Sequence, residues 1–186
     1  MPVLPFWVVV FVVLLSNCCE SVSYPSRLVL GYDHSCYLQD DGQVFCFGWN
    51  HSGQLGDKTT VARPFPVQML GITMASQISA GGHFTCFVDQ NIARCTGWNW
   101  FGELGDGTKT DRAFRVSVRN LPATVVRISC GSYHACAILR SGALYCWGYN
   151  LNGELGIGKV KDPRFPRLVP LPALSVEDIA TGGDHT

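Results

Sequence analysis

Gly48-Trp49-Asn50-His51-Ser52-Gly53-Gln54-Leu55-Gly56 returns as Gly97-Trp98-Asn99-Trp100-Phe101-Gly102-Glu103-Leu104-Gly105, and again as Gly148-Tyr149-Asn150-Leu151-Asn152-Gly153-Glu154-Leu155-Gly156. The copies start 49 and 51 residues apart, and Phe65, Phe114 and Phe165 keep the same intervals. A fixed period of this length marks one supersecondary unit per repeat. Working outward, a second landmark precedes each nine-residue motif: Ile78 to Gly81, Ile128 to Gly131 and Ile179 to Gly182, with Leu30 and Gly31 opening the series. Cys36, Cys86 and Cys136 each follow their glycine at the same spacing, and the fourth cysteine would fall just beyond Thr186, so the chain is expected to continue.

Within a repeat the segments are short, rich in Val, Ile, Phe, Tyr and Cys, and separated by Gly, Asp, Asn and Pro, which is the pattern of antiparallel strands and tight turns. No stretch holds helical periodicity. A lone small sheet cannot bury its faces, so repeats of this length stack as blades. The fold class expected is all-β, a β-propeller with repeats at 27–75, 76–125 and 126–174 and the start of a fourth at 175–186. The order Gly-x-x-His-x-Cys, hairpin, Trp-Gly-x-Asn-x-x-Gly-Gln/Glu-Leu-Gly resembles the repeat of the regulator of chromosome condensation family. That resemblance implies a propeller that usually closes with seven blades.

The hairpin turns set the cysteine register. A three-residue loop Asp40-Asp41-Gly42 with Gly42 left-handed places Cys36 opposite Cys46, and Arg140-Ser141-Gly142 does the same for Cys136 and Cys146. The middle hairpin is one residue shorter, yet a two-residue loop Gln90-Asn91 keeps Cys86 opposite Cys95. Directly opposed strand residues lie within reach of a disulfide, so three disulfides are expected. The rival is zinc, held by His34 with Cys36 and His134 with Cys136. Phe84 at the middle histidine position speaks against it, and no metal or cofactor is expected. Cys130 occupies a small-residue position shared with Ala80 and Thr181, and is either buried there or paired outside this stretch.

Residues 1–23 read as a secretory signal: Val8 to Leu15 carries no charge, is too short to span a bilayer, and Ser21 and Ser23 suit cleavage before Tyr24. Disulfides need an oxidising compartment, which supports a secreted or extracellular location independently. Lys+Arg and Asp+Glu both number 14, so there is no basic surplus for phosphates or anionic lipids; neither nucleic acid nor membrane contact is expected.

No nucleophile elbow, zincin helix, phosphate loop or dinucleotide fingerprint is present in the sequence, which points away from an enzyme. Asp57, Asp106 and Asp111 read as solvated or capping groups of the loops. Asn50-His51-Ser52 is a glycosylation acceptor sequence, but Asn50 is also the repeat's own asparagine, matched by Asn99 and Asn150, and so has a structural reading too. Trp100 and Phe101 replace His51 and Ser52 of the first copy, which makes them candidate partner contacts on a turn. The function expected is a non-catalytic secreted or ectodomain binding scaffold whose propeller loops recognise a protein or glycan. The alternatives are guanine nucleotide exchange on a Ran-like small GTPase, as the family resemblance implies, and a sensing region of a longer receptor kinase or enzyme.

Overall fold

The computed structural model describes residues 28–161, 163–172 and 175–186. The leader expected at 1–23 lies outside them. Among the described residues, twelve strands form three four-stranded sheets, each an antiparallel meander. The first blade is β1 (Leu28–Leu30), β2 (His34–Leu38), β3 (Val44–Gly48) and β4 (Arg63–Gln68). The second is β5 (Ala75–Ala80), β6 (Phe84–Asp89), β7 (Ile92–Gly97) and β8 (Arg112–Ser117). The third is β9 (Val125–Cys130), β10 (His134–Leu139), β11 (Leu144–Gly148) and β12 (Arg167–Leu168). The chain is an all-β propeller built blade by blade.

The hairpin registers follow from the turns. Cys36 faces Cys46, Cys86 faces Cys95 and Cys136 faces Cys146, each pair joined in a disulfide with Cα atoms 4.1 Å apart. Gly42 and Gly142 take positive φ, which a three-residue loop needs, whereas Gln90 and Asn91 both take positive φ, as a primed two-residue turn needs. Where β3, β7 and β11 end, Gly48, Gly97 and Gly148 have φ near 100°. A Cβ there would strike the facing backbone; at Gly48 it would lie 2.5 Å from the Asp33 carbonyl oxygen. Only glycine closes the hairpin this tightly.

The cores lie between blades. One joins Leu55, Met69 and Val44 of the first blade to Ile78 and Phe87 of the second; a larger one joins Phe84, Val88 and Leu104 to Ile128, Leu139 and Trp147. β6 is therefore buried at every residue, because a blade covers each face; β10 is too, with the second blade on one face and Val176 and Ile179 of the C-terminal segment packed on the other. β2 alternates instead, leaving Ser35 and Tyr37 half-exposed on the uncovered flank of the first blade. The repeat phenylalanines show the same asymmetry. Phe165 reaches Gly107 and Phe114 reaches Gly71, each on the preceding blade, but among the described residues no blade precedes that of Phe65, which is 78% exposed.

Near the axis the inner turns are tied head to tail by backbone bonds. The Tyr32 amide donates to Gly82, the Gly82 amide to Ser132 and the Ser132 amide to Gly183, at 3.0, 3.0 and 3.1 Å. His34 Nε2 meets Thr85 Oγ1 at 2.9 Å, and the Trp147 indole donates to the Glu103 carbonyl at 2.6 Å, so side chains also cross between blades.

Candidate functional site

In an antiparallel meander the β1–β2 turn and the β3–β4 loop emerge at the same end, and this holds for all three blades. The short turns present Tyr32, His83 and Tyr133; the long loops present Trp49, Trp98, Trp100, Phe101 and Tyr149. Their rings touch across blades. Trp100 meets Trp98 at 5.6 Å between centroids, Trp98 meets His83 at 6.3 Å, and His83 meets Tyr32 at 5.4 Å. Tyr32 continues to Tyr133 at 6.4 Å, and Tyr133 to Phe101 at 5.8 Å and Tyr149 at 6.3 Å. Trp100 and Tyr32 are 65% and 56% exposed and the other rings of the run are half-buried; Trp49, 47% exposed, packs on His51 outside the run. Tyr32 Oη donates to Ser132 Oγ, which holds the first ring across to the third blade.

The two residues singled out as a pair behave differently. Trp100 stands out into solvent, whereas Phe101 is half-buried, packed edge-on against Tyr149 at 4.8 Å. Phe101 is thus an anchor under the surface, and Trp100 the ring presented. Tyr32, His83 and Tyr133 were not expected at all. Their signal in the sequence is aromatic residues at the variable positions of Gly-x-x-His/Phe, which becomes a surface only when blades are set side by side.

Beneath the rim each loop is organised by its asparagine. Asn99 is buried; its Nδ2 donates to Asp106 Oδ1, to the Thr108 and Thr110 carbonyls and to Thr108 Oγ1, while its Oδ1 accepts the Leu104 amide at 3.0 Å. Asn50 repeats this with Asp57, Thr59, Val61 and Leu55. Asn50 is fully buried, and a glycan on its Nδ2 would replace one of the two N–H donors that serve Asp57, Thr59 and Val61 and would need this loop to open. The structural reading of this residue is the one the geometry fits.

Of the two readings of the aspartates, Asp57 and Asp106 take the capping one, accepting the Thr59 and Thr108 amides at 3.0 and 2.8 Å, and neither is a solvated group. Asp106 is buried and its Oδ2 accepts from Arg112 at 3.1 Å; Asp57 accepts from Arg63 at 2.7 Å. Burial alone would raise these carboxyls, but the Thr108 or Thr59 hydroxyl and amide, together with Asn and Arg, hold both below the ordinary aspartate range. Asp111 does cap, accepting the Asn99 amide at 2.8 Å.

Glu103 behaves in the opposite way. It is fully buried, Oε2 accepts the Phe101 amide at 2.9 Å, and Oε1 has no partner. Burial pushes its pKa up to about 8, which makes it a neutral acid at physiological pH. Gln54 holds the same place in the first blade, accepting the Ser52 amide. Burial and the nearby His83 push His34 down to about 4, so it serves as a neutral bridge to Thr85. With Cys36 and Cys136 in disulfides, the His-x-Cys pairs hold no thiolate to offer a metal. Cys130 is buried between blades, and burial pushes its thiol up to about 12.

Models of the Regulator of chromosome condensation (RCC1) repeat match residues 41–88 and 141–186, and 26–54 and 125–154. The chain is 33% identical over 165 residues to the Ultraviolet-B receptor UVR8 of Arabidopsis thaliana, covering 86% of this chain and 36% of the receptor. It is 33% identical over 162 residues to the Probable E3 ubiquitin-protein ligase HERC4 of Homo sapiens, covering 84% of this chain and 15% of the ligase. Among solved structures, Prp20p of Saccharomyces cerevisiae, described with its binding to Gsp1p and histones, superposes with a TM-score of 0.71 at 20% identity, over 86% of this chain and 42% of that one. The chain therefore spans well under two thirds of each of these proteins.

Proposed function

This chain belongs to the regulator of chromosome condensation repeat family, and from that premise we propose that it is a non-catalytic scaffold that recognises a protein partner through the aromatic end of its propeller, working outside the reducing cytosol. The observation that carries the reading is the unbroken run of rings from Trp100 to Tyr149 across three blades, on the end where the long loops emerge. Exposed aromatic clusters of this kind are where binding energy concentrates in interfaces. The relatives are a light receptor, a probable ubiquitin ligase and a binder of Gsp1p and histones; what they share with this chain is the propeller, so the function has to be argued from the site. Secretion is supported by the three cysteine pairs, which persist where thiols are not kept reduced, and by the leader-like residues 1–23.

Exchange on a Ran-like GTPase is the second reading, favoured by the described binding of Gsp1p by Prp20p. A photo-crosslinking residue placed at Trp100, and separately at Arg140 on the β10–β11 turn of the opposite end, tests both in the native source. Crosslinks to an extracellular protein at Trp100 and none at Arg140 are expected. A GTPase captured by an intracellular chain with free thiols would overturn the proposal.

A further inference from the structure

The aromatic end carries a charge pattern that names the chemistry of its partner. The segments that build it are 31–34, 81–84, 131–134 and 182–185 from the short turns, and 49–52, 98–101 and 149–152 from the long loops. None of these stretches contains Lys or Arg, the exposed Lys58, Lys109, Lys159 and Lys161 lying further along the same loops, and two of the stretches supply the carboxylates Asp33 and Asp184. Asp33 is 60% exposed and lies 3.9 Å from His83, inside the ring run; Asp184 is exposed and close enough to raise the Tyr133 phenol. Burial is the largest cause of that rise, followed by Tyr32, with Asp184 and Glu103 adding to it. Arg164, lying against Gly102, bounds the patch at the third blade.

The ring geometry points the same way. Trp98 and Trp100 meet at 70°, Tyr32 and His83 at 86°, and Tyr32 and Tyr133 at 84°. Stacked rings hide their faces in one another, but in an edge-to-face pair the ring that contributes its edge keeps both π faces free. Perpendicular electron-rich faces beside unneutralised carboxylates are the surroundings in which an ammonium or guanidinium group is held.

Resting on the scaffold reading above, we propose that this end of the propeller docks a Lys- or Arg-bearing peptide segment of its partner, with the cationic side chain lodged against Trp98, Trp100 and Tyr32 and paired with Asp33 or Asp184. Trp100 supplies an exposed wall, and Phe101 with Tyr149 props the rings from below.

The test uses the whole protein and a fluorescent oligolysine peptide, with the fully Nε-acetylated peptide and a chitin oligosaccharide as comparison probes. Oligolysine is expected to bind and the acetylated peptide not to. Trp100→Leu and the pair Asp33→Asn with Asp184→Asn should each weaken binding by about tenfold, while Asp41→Asn on the opposite end leaves it unchanged. Melting curves matching the parent exclude misfolding, since Asp33 and Trp100 are exposed. Equal binding by every variant overturns the proposal. Binding of the acetylated peptide or the oligosaccharide that Trp100→Leu abolishes overturns it too, but leaves the scaffold reading standing. A partner crosslinked only through Arg140 removes both.

Discussion

The long loop of the second blade closes around a polar centre, and that of the third around an apolar one. In the second, Asn99, Asp106, Thr108 and Arg112 form one hydrogen-bonded knot. In the third, Asn150 still donates to the Gly158 and Val160 carbonyls and accepts the Leu155 amide, but Ile157 stands where Asp106 stood and Pro163 where Arg112 stood. Ile157 packs against the core of Leu155 and Val169 instead. The outer strands differ accordingly: β8 begins at Arg112 and runs six residues, whereas β12 is only Arg167–Leu168. The asparagine bonds that shape the loop are kept in both blades. The aspartate–arginine tie fastens the first residue of the outer strand to that loop, and proline can neither make the tie nor donate to the ladder.

Removing the tie should have the largest effect. Asp106→Ala leaves Arg112 and the Thr108 amide and hydroxyl without their acceptor and is expected to cost about 2–4 kcal/mol in urea unfolding, whereas Ile157→Ala in the half-buried apolar version should cost about 1–2 kcal/mol. Equal losses would mean that the polar knot contributes nothing beyond filling space.

A second contrast is Glu103 against Gln54, the same position in adjacent blades. The folded pKa of Glu103, about 8, lies above its ordinary value of 4.5, so between these limits the native state holds a proton the unfolded chain has released. Stability therefore falls as pH rises through that window, and Glu103→Gln should flatten the fall seen in melting temperatures between pH 5 and about 8.5. Asp57 and Asp106 have the opposite sign: their depressed values give stability present above the ordinary aspartate range and lost as pH falls through it. The smallest effect is expected in the short hairpin. Gln90 sits at a φ of 51°, and Gln90→Gly should raise stability by about 0.5–1 kcal/mol by relieving a left-handed conformation that glycine adopts freely. No change in melting temperature would show that the disulfide next to this turn already fixes it.

Much of the blade was legible without structure. Cysteine spacing and the residues at Gly42, Asn91 and Gly142 led to the register of all three hairpins, because pairing inside a hairpin is a local matter of turn length. The surface was harder to see. Tyr32, His83 and Tyr133 sit about 50 residues apart and meet only through the stacking of blades, which no local rule describes. The aspartates were legible as caps but not as ion-pair partners, for a related reason: a carboxylate beside a glycine turn looks solvated until the arginine six residues on, repeated at Asp57–Arg63 and Asp106–Arg112, is read with it.

The head-to-tail amides of Tyr32, Gly82 and Ser132 also bear on how the molecule comes apart. Each belongs to one blade and is satisfied by the next, so no blade can open alone without orphaning backbone groups on its neighbours. The axis thereby couples units that a row of independent hairpins would leave separate, and unfolding should sweep through adjacent blades together as one cooperative event.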